Sequence, residues 1–191
     1  MNPSTDPPPA LPAGYPADLE RLWQAGDGTA VRLRALHPGD VDRELAFVAG
    51  LSQDTLHLRV QYTARELTRE DAARLLVFDY VDNLAVGAFV VTPGGEELVG
   101  VSRYAREAGT DEAECAIVVA DAWQGRGLGT ELMRSLGTAA RARGIRKLQG
   151  ISLGENQRIH DWARRFGYEV QTEPNSGGQV RVTLDLSTLP S

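Results

Sequence analysis

The residues best suited to chemistry are a carboxylate, Glu114, and the glycine-rich turn Gln124-Gly125-Arg126-Gly127-Leu128-Gly129-Thr130. Between them runs the apolar stretch Cys115-Ala116-Ile117-Val118-Val119, which reads as a strand. After the turn, Leu128 to Arg143 has the spacing of an amphipathic helix. In such a strand–turn–helix unit the first N–H groups of the helix lack partners, and the helix dipole is positive there. An anion such as a diphosphate can bind at that point, and glycine lets the backbone approach it with no Cβ in between. Arg126 adds a permanent cation and Thr130 a hydroxyl or a cap. A carboxylate at Glu114, at the start of the strand leading into the turn, could take a proton from a nucleophile.

Two familiar phosphate loops do not fit. A Walker A loop ends in Gly-Lys-Ser/Thr, and here Gly129-Thr130 comes with no lysine. A dinucleotide fingerprint needs G-x-G-x-x-G, and its third glycine position is Thr130. Read as Q/R-x-x-G-x-G/A, Gln124 to Gly129 instead resembles the acyl-coenzyme A pyrophosphate loop of the GNAT superfamily of N-acetyltransferases. By itself the turn also fits a tight strand–helix connection without a ligand. Downstream, however, Asn156, Arg164-Arg165-Phe166-Gly167-Tyr168 resembles the second motif of the same family, N-x-x-A-x-x-L-Y-x-K-x-G-F. Upstream, Ala35-Leu36-His37-Pro38-Gly39-Asp40 resembles its first strand and helix start. Leu51 to Arg59, Leu67 to Asp71 and Asp79-Tyr80 are similar to bacterial protein-lysine acetyltransferase domains, and the whole resemblance runs from about Val31 to Leu186.

The resemblance implies an acetyl-CoA-dependent N-acetyltransferase whose acceptor is a primary amine. That acceptor would be a protein lysine, such as the active-site lysine of an acyl-CoA synthetase, or a small amine; a non-catalytic acyl-CoA-binding module is the reading from another class. Glu114 takes the place of the family's general base, with Glu112 as runner-up and an exposed strand-end carboxylate as the alternative. The main chain of Val118 and Val119 is expected to hold the pantetheine arm. Gln124, Gly125, Arg126, Gly127, Leu128, Gly129 and Thr130 are expected to wrap the pyrophosphate. Asn156 would contact the pantetheine or acetyl end, or act only as a helix N-cap. The chain departs from the family at position 163, where many members carry a tyrosine that protonates the leaving thiolate and this sequence has Ala163. Tyr168 reads as a core residue, Cys115 as packing rather than a nucleophile, and Trp123 as an anchor rather than an adenine stack.

These residues must be positioned by one domain. The chain of 191 residues, 42% hydrophobic, can bury its own core. Met1 to Pro16 contains six of the ten prolines and reads as a disordered or extended tail, leaving 17–191 as a single domain. Ala17 to Gln24 is expected as a short helix. Thr29 to Leu36 reads as a strand, Val41 to Ala49 as a helix, and Asn83 to Thr92 with Glu97 to Arg106 as a hairpin turning at Pro93-Gly94-Gly95. Lys147 to Leu153 reads as a strand, Gln157 to Phe166 as a helix with Ile159, Trp162, Ala163 and Phe166 on one face, and Gln179 to Leu186 as a last strand. Gly137, inside the long helix, would let it approach the sheet. The resulting order, β-α-α-β-β-β-α-β-α-β-β, predicts an α/β (α+β) fold with a mixed, mostly antiparallel central sheet flanked by helices. A single cysteine excludes an intrachain disulfide and suggests a reducing cytoplasm, and no Cys/His spacing suggests a metal. A net charge of −6 argues against nucleic acid and favours basic partners, no apolar run is long enough for a membrane span, and a homodimer is left open.

Overall fold

Eight strands, the central ones buried on both faces, assemble into one sheet in the computed structural model, which describes residues 11–58, 67–174 and 176–189. The strands are β1 (Arg21–Gln24), β2 (Ala30–Ala35), β3 (Asn83–Thr92), β4 (Gly95–Arg106), β5 (Glu112–Val119), β6 (Lys147–Leu153), β7 (Glu169–Thr172) and β8 (Gln179–Asp185). Their order across the sheet is β1-β2-β3-β4-β5-β6-β8-β7, antiparallel throughout except at β5–β6. Helices α1 (Val41–Ala49), α2 (Gln53–His57) and α3 (Arg69–Leu75) lie between β2 and β3 in sequence. α4 (Leu128–Ala142) joins β5 to β6, and α5 (Gln157–Phe166) joins β6 to β7. This is the mixed, helix-flanked sheet expected from the sequence.

Each face of the sheet has its own apolar cover. On one, α4 buries Leu128, Leu132, Met133, Leu136, Ala139 and Ala140 as a continuous stripe against Val86, Ala88, Val99 and Cys115. On the other, Phe47 and Val48 of α1 pack with Leu51 and Leu76 onto Ala85, Phe89, Val101 and Val118. Arg34 stands among these apolar residues almost fully buried. Its guanidinium grips Asp40 through two hydrogen bonds of 2.8 and 2.7 Å and lies 3.8 Å over the Phe89 ring. Burial alone would raise the Asp40 carboxyl, but the Arg34 guanidinium outweighs it and holds the group below the usual carboxylate range. The pair ties β2 to the start of α1.

Two expectations, for residues 17–24 and for Gly137, need correction. Ala17 to Gln24 is not a helix beyond one 3-10 turn, Ala17–Leu19, and continues as β1, an additional edge strand. The cause is the following turn, where Asp27 Oδ1 accepts from the Thr29 N–H at 3.0 Å and Gly28 takes a φ of +84°. This folds β1 back on β2 as a hairpin. Residues 11–16, assigned to the tail, approach the sheet: the Tyr15 hydroxyl donates to the Ala35 carbonyl at 3.1 Å. The rest of that tail, residues 1–10, lies outside the described residues, as do residues 59–66 of the segment after α2. Gly137 does not serve contact with the sheet. A Cβ there would come within 2.7 Å of Leu189 and 3.3 Å of Leu186, so it admits the C-terminal segment instead.

Candidate active site

The site is built on a fault in the sheet. β5 and β6 pair for only three positions, Glu112 with Lys147, Ala113 with Leu148 and Glu114 with Gln149. Beyond them β5 stays with β4 to Val119, while β6 stays with β8 to Leu153. The strands splay, and the wedge opens into a cleft of about 610 Å³. Gly150 sits at its vertex, where a Cβ would stand 3.1 Å from the Cys115 carbonyl oxygen.

Strand alternation decides which main-chain groups face this cleft. The Ala120 N–H donates to the Val99 carbonyl on β4 at 2.9 Å. Val118, two residues earlier, therefore turns its main chain to β4 as well, and its side chain lies in the core beneath α1. Ile117 and Val119 present their main chain to the wedge, where the Val119 carbonyl accepts from Gln124 Nε2 at 3.0 Å. Of the expected pair Val118 and Val119, only Val119 turns its main chain to the wedge, with Ile117 in the same orientation, since adjacent strand residues cannot offer their main chain to the same edge.

The glycine turn closes the wide end of the wedge. Gly125 and Gly127 have φ of +77° and +87°, a region that side chains rarely adopt. Gly127 is the N-cap of α4, and the first N–H of the helix ladder is that of Glu131, bonded to the Gly127 carbonyl at 3.2 Å. The N–H groups of Leu128, Gly129 and Thr130 precede the ladder at the positive end of the helix. Gly129 differs from the other two. Its φ is ordinary and a Cβ would make normal contact with Ile117 at 3.5 Å, so the fold itself does not demand glycine. Gly125, Gly127, Gly129 and Thr130 line the cleft, whereas Leu128 is buried in the core beneath it. Arg126 points elsewhere: it pairs with Asp27 of the β1–β2 turn at 2.8 Å and lies 5.0 Å over the Trp123 ring. The Thr130 hydroxyl caps nothing and accepts from Trp162 Nε1 at 3.0 Å, joining α4 to α5.

At the narrow end, Glu114 is exposed on the cleft, on the strand face opposite Cys115. Glu112 is engaged by Lys147 Nζ at 3.1 Å and by Gln149, which hold it to β6. Burial pushes the Cys115 thiol up to about 12, so it carries no thiolate at neutral pH and reads as packing. Ala163 is fully buried in the cleft wall, and Tyr168 packs with Trp162 and Phe166. Asn156 is an N-cap, accepting from the Ile159 N–H at 3.2 Å, and also lines the cleft.

A set of polar contacts that sequence reasoning did not find straps the cleft from side to side. Asp121 accepts from the Ser52 N–H, the Ser52 hydroxyl and the Thr55 hydroxyl at 2.9, 2.7 and 2.7 Å, docking α2 beside the glycine turn. Burial opposes the Asp121 charge, but these donors keep its carboxyl below the usual range. Gln124 Nε2 reaches the Thr55 hydroxyl at 3.2 Å, and Gln124 Oε1 accepts from Arg158 of α5 at 2.6 Å. Farther out, His57 Nε2 and Glu155 Oε1 meet at 2.8 Å. The only local signal was Ser52 as an N-cap ahead of α2; its long-range partners leave no mark in the sequence. Among the described residues no cluster of three or more His, Cys, Asp or Glu could hold a metal ion, and no helix is long and apolar enough to cross a membrane.

Known proteins share this fold and much of this sequence. The family model for the acetyltransferase (GNAT) domain matches residues 85–170. An acetyltransferase of Pseudomonas aeruginosa is 34% identical over 154 residues, covering 81% of this chain and 83% of its own. Acetyltransferase Pat of Mycolicibacterium smegmatis is 32% identical over 75% of this chain, which spans only 43% of Pat. The crystal structure of the GNAT domain of S. lividans PAT has a TM-score of 0.80 at 31% identity, covering 90% of this chain and 99% of that one. The chain belongs to the GNAT family of acetyltransferases.

Proposed function

We propose that the protein moves an acetyl group from acetyl-CoA to a protein lysine by direct attack, with Glu114 as general base. The observation that carries this reading is the wedge itself, with a glycine turn and the open N–H groups of α4 at its wide end and an exposed carboxylate at its narrow end. The diphosphate fits the α4 N-terminus, and the pantetheine arm fits the main-chain edge of Ile117 and Val119. The acetyl group then comes to rest near the vertex, within reach of Glu114. A lysine ammonium, with a pKa near ~10.4, cannot attack until deprotonated, and Glu114 takes that proton directly or through water. The amine nitrogen adds to the carbonyl carbon, and collapse of the adduct breaks the carbon–sulfur bond.

The protein lysine rests on similarity to the Pat proteins and on a net charge of −6, which attracts basic surfaces. The test is incubation with acetyl-CoA, a purified acyl-CoA synthetase and a panel of small amines, with acetyl-lysine mapped by mass spectrometry. Acetylation of the synthetase is the expected result. Rapid acetylation of a small amine with none on protein would replace the acceptor while leaving the base and cofactor sites as drawn.

A further inference from the structure

One polar group in the cleft has no task in that reaction. Tyr168 follows the α5 cap and is only 5% exposed, with its ring against Trp162 and Phe166 at centroid distances of 6.0 and 5.8 Å. Its hydroxyl oxygen is buried, belongs to a residue lining the cleft, and makes no hydrogen bond of ordinary geometry among the described residues. The Cys115 thiol is near enough to interact with it electrostatically, but no well-formed hydrogen bond joins the two. A buried hydroxyl left unpaired costs folding free energy, so phenylalanine would serve the packing better. The oxygen is therefore unexplained by the fold.

Its position says what it could meet. Cys115 is the first residue of β5 past the last β5–β6 pair, next to Glu114 but on the opposite face. If Glu114 serves an amine arriving from its own face, the coenzyme sulfur must lie on the other, where α4 covers the strand and Tyr168 stands. Ala163 walls the same part of the cleft with no more than a methyl group, and the Tyr168 N–H bonds to its carbonyl at 2.8 Å.

We propose that the Tyr168 hydroxyl donates a hydrogen bond to the sulfur of the departing coenzyme A, making it a further catalytic residue. The inference rests on the reading that acetyl-CoA occupies the wedge. As the carbon–sulfur bond breaks, its electron pair stays on sulfur, and the O–H dipole stabilises the thiolate that forms. The amine proton goes to Glu114, and the thiolate takes its proton from water after release. Tyr168 keeps its own. A phenol ordinarily titrates near ~10 and a thiol near ~8.5, so full transfer would run uphill, and burial raises Tyr168 further.

Tyr168→Phe removes the one oxygen. Thermal unfolding of the variant should be unchanged or shifted upward, because no hydrogen bond of ordinary geometry is lost, and calorimetry should show acetyl-CoA affinity within a few-fold of wild type. The single-turnover rate should fall about 10- to 100-fold, the size of a lost hydrogen bond to a charged group. With acetyl-seleno-coenzyme A, whose selenolate leaves more readily, most of that loss should vanish. A destabilised variant would mean that the hydroxyl has a structural partner and would overturn the proposal. An unchanged rate, or an equal loss with both donors, would overturn it while sparing the acetyl-CoA reading. Failure of the wild type to bind acetyl-CoA would overturn both.

Discussion

Two rims of the cleft, the glycine turn and the polar strap beside it, are made of different material. The glycine turn is main chain: two left-handed glycines, the open N–H groups of α4 and the backbone edge of Ile117 and Val119, all within one stretch of sequence. The strap beside it is side chain: Asp121 reaches Ser52, Gln124 reaches Thr55 and Arg158, and His57 reaches Glu155, contacts separated by 34 to 98 positions. On the proposed reading, backbone would recognise what any acyl-CoA shares, its phosphates and amide-bearing arm. Side chains brought from distant segments would recognise what differs between acceptors. Specificity would then rest with Asp121, Ser52 and Thr55, which can be altered without touching the glycines of the turn.

Variants can break or sharpen that contrast. The largest effect is expected from Glu114→Gln, which should lower turnover by ~10²–10⁴-fold with acetyl-CoA affinity little changed. Partial recovery at high pH, where more of the amine is already neutral, would identify the lost function as proton removal; a parallel pH–rate profile would move it elsewhere. Next comes Gly129→Asp, which puts a negative charge where the diphosphate should sit and should weaken acetyl-CoA binding roughly 100-fold by calorimetry. Gly129→Ala is the control, because the fold has room for that methyl, and its melting temperature should match wild type.

Smaller effects should follow on the side-chain rim. Asp121→Ala releases α2 and should raise the acceptor KM by roughly threefold to tenfold while sparing the acetyl-CoA KM. Equal changes in both constants would dissolve the distinction between the rims. Because the Asp121 carboxyl is held below its ordinary range, the docking of α2 is complete at neutral pH. It should be lost only as the pH falls through that lowered value, which acceptor KM measured in acid can follow. Smallest is Asp27→Asn. It frees exposed Arg126 from its ion pair and should tighten acetyl-CoA binding by less than about tenfold at low salt, with no gain near ~1 M, where the Debye length is ~3 Å.

The same contrast explains what the sequence could reveal. Glycines that must adopt positive φ and a helix with an apolar stripe are local requirements, so Gln124 to Thr130 and α4 could be read directly. The β1–β2 hairpin was also local, written in Asp27-Gly28 between two short apolar runs, but four residues of strand were mistaken for helix. That the Val118 main chain turns to β4 could not be read, since nothing in five consecutive apolar residues says which main-chain groups face which strand. Asp121, Arg158 and the Tyr168 hydroxyl could not be read, because their roles depend on which segments the fold brings together.

The three-pair junction between β5 and β6 has a mechanical meaning as well. Apart from those pairs, the sheet is two antiparallel blocks, β1 to β5 and β6-β8-β7, with a gap where ladder hydrogen bonds would otherwise run. A coenzyme arm lying along Ile117 and Val119 would take the place of the absent ladder on that edge, as an inserted strand does. Part of its binding free energy then becomes cohesion between the blocks, about 2.7 kcal/mol of global stability at a hundredfold excess over Kd. The gain would not be spread evenly. Amide hydrogens of residues 115–119 should slow their exchange most when acetyl-CoA is added, and those of β1, far across the sheet, least.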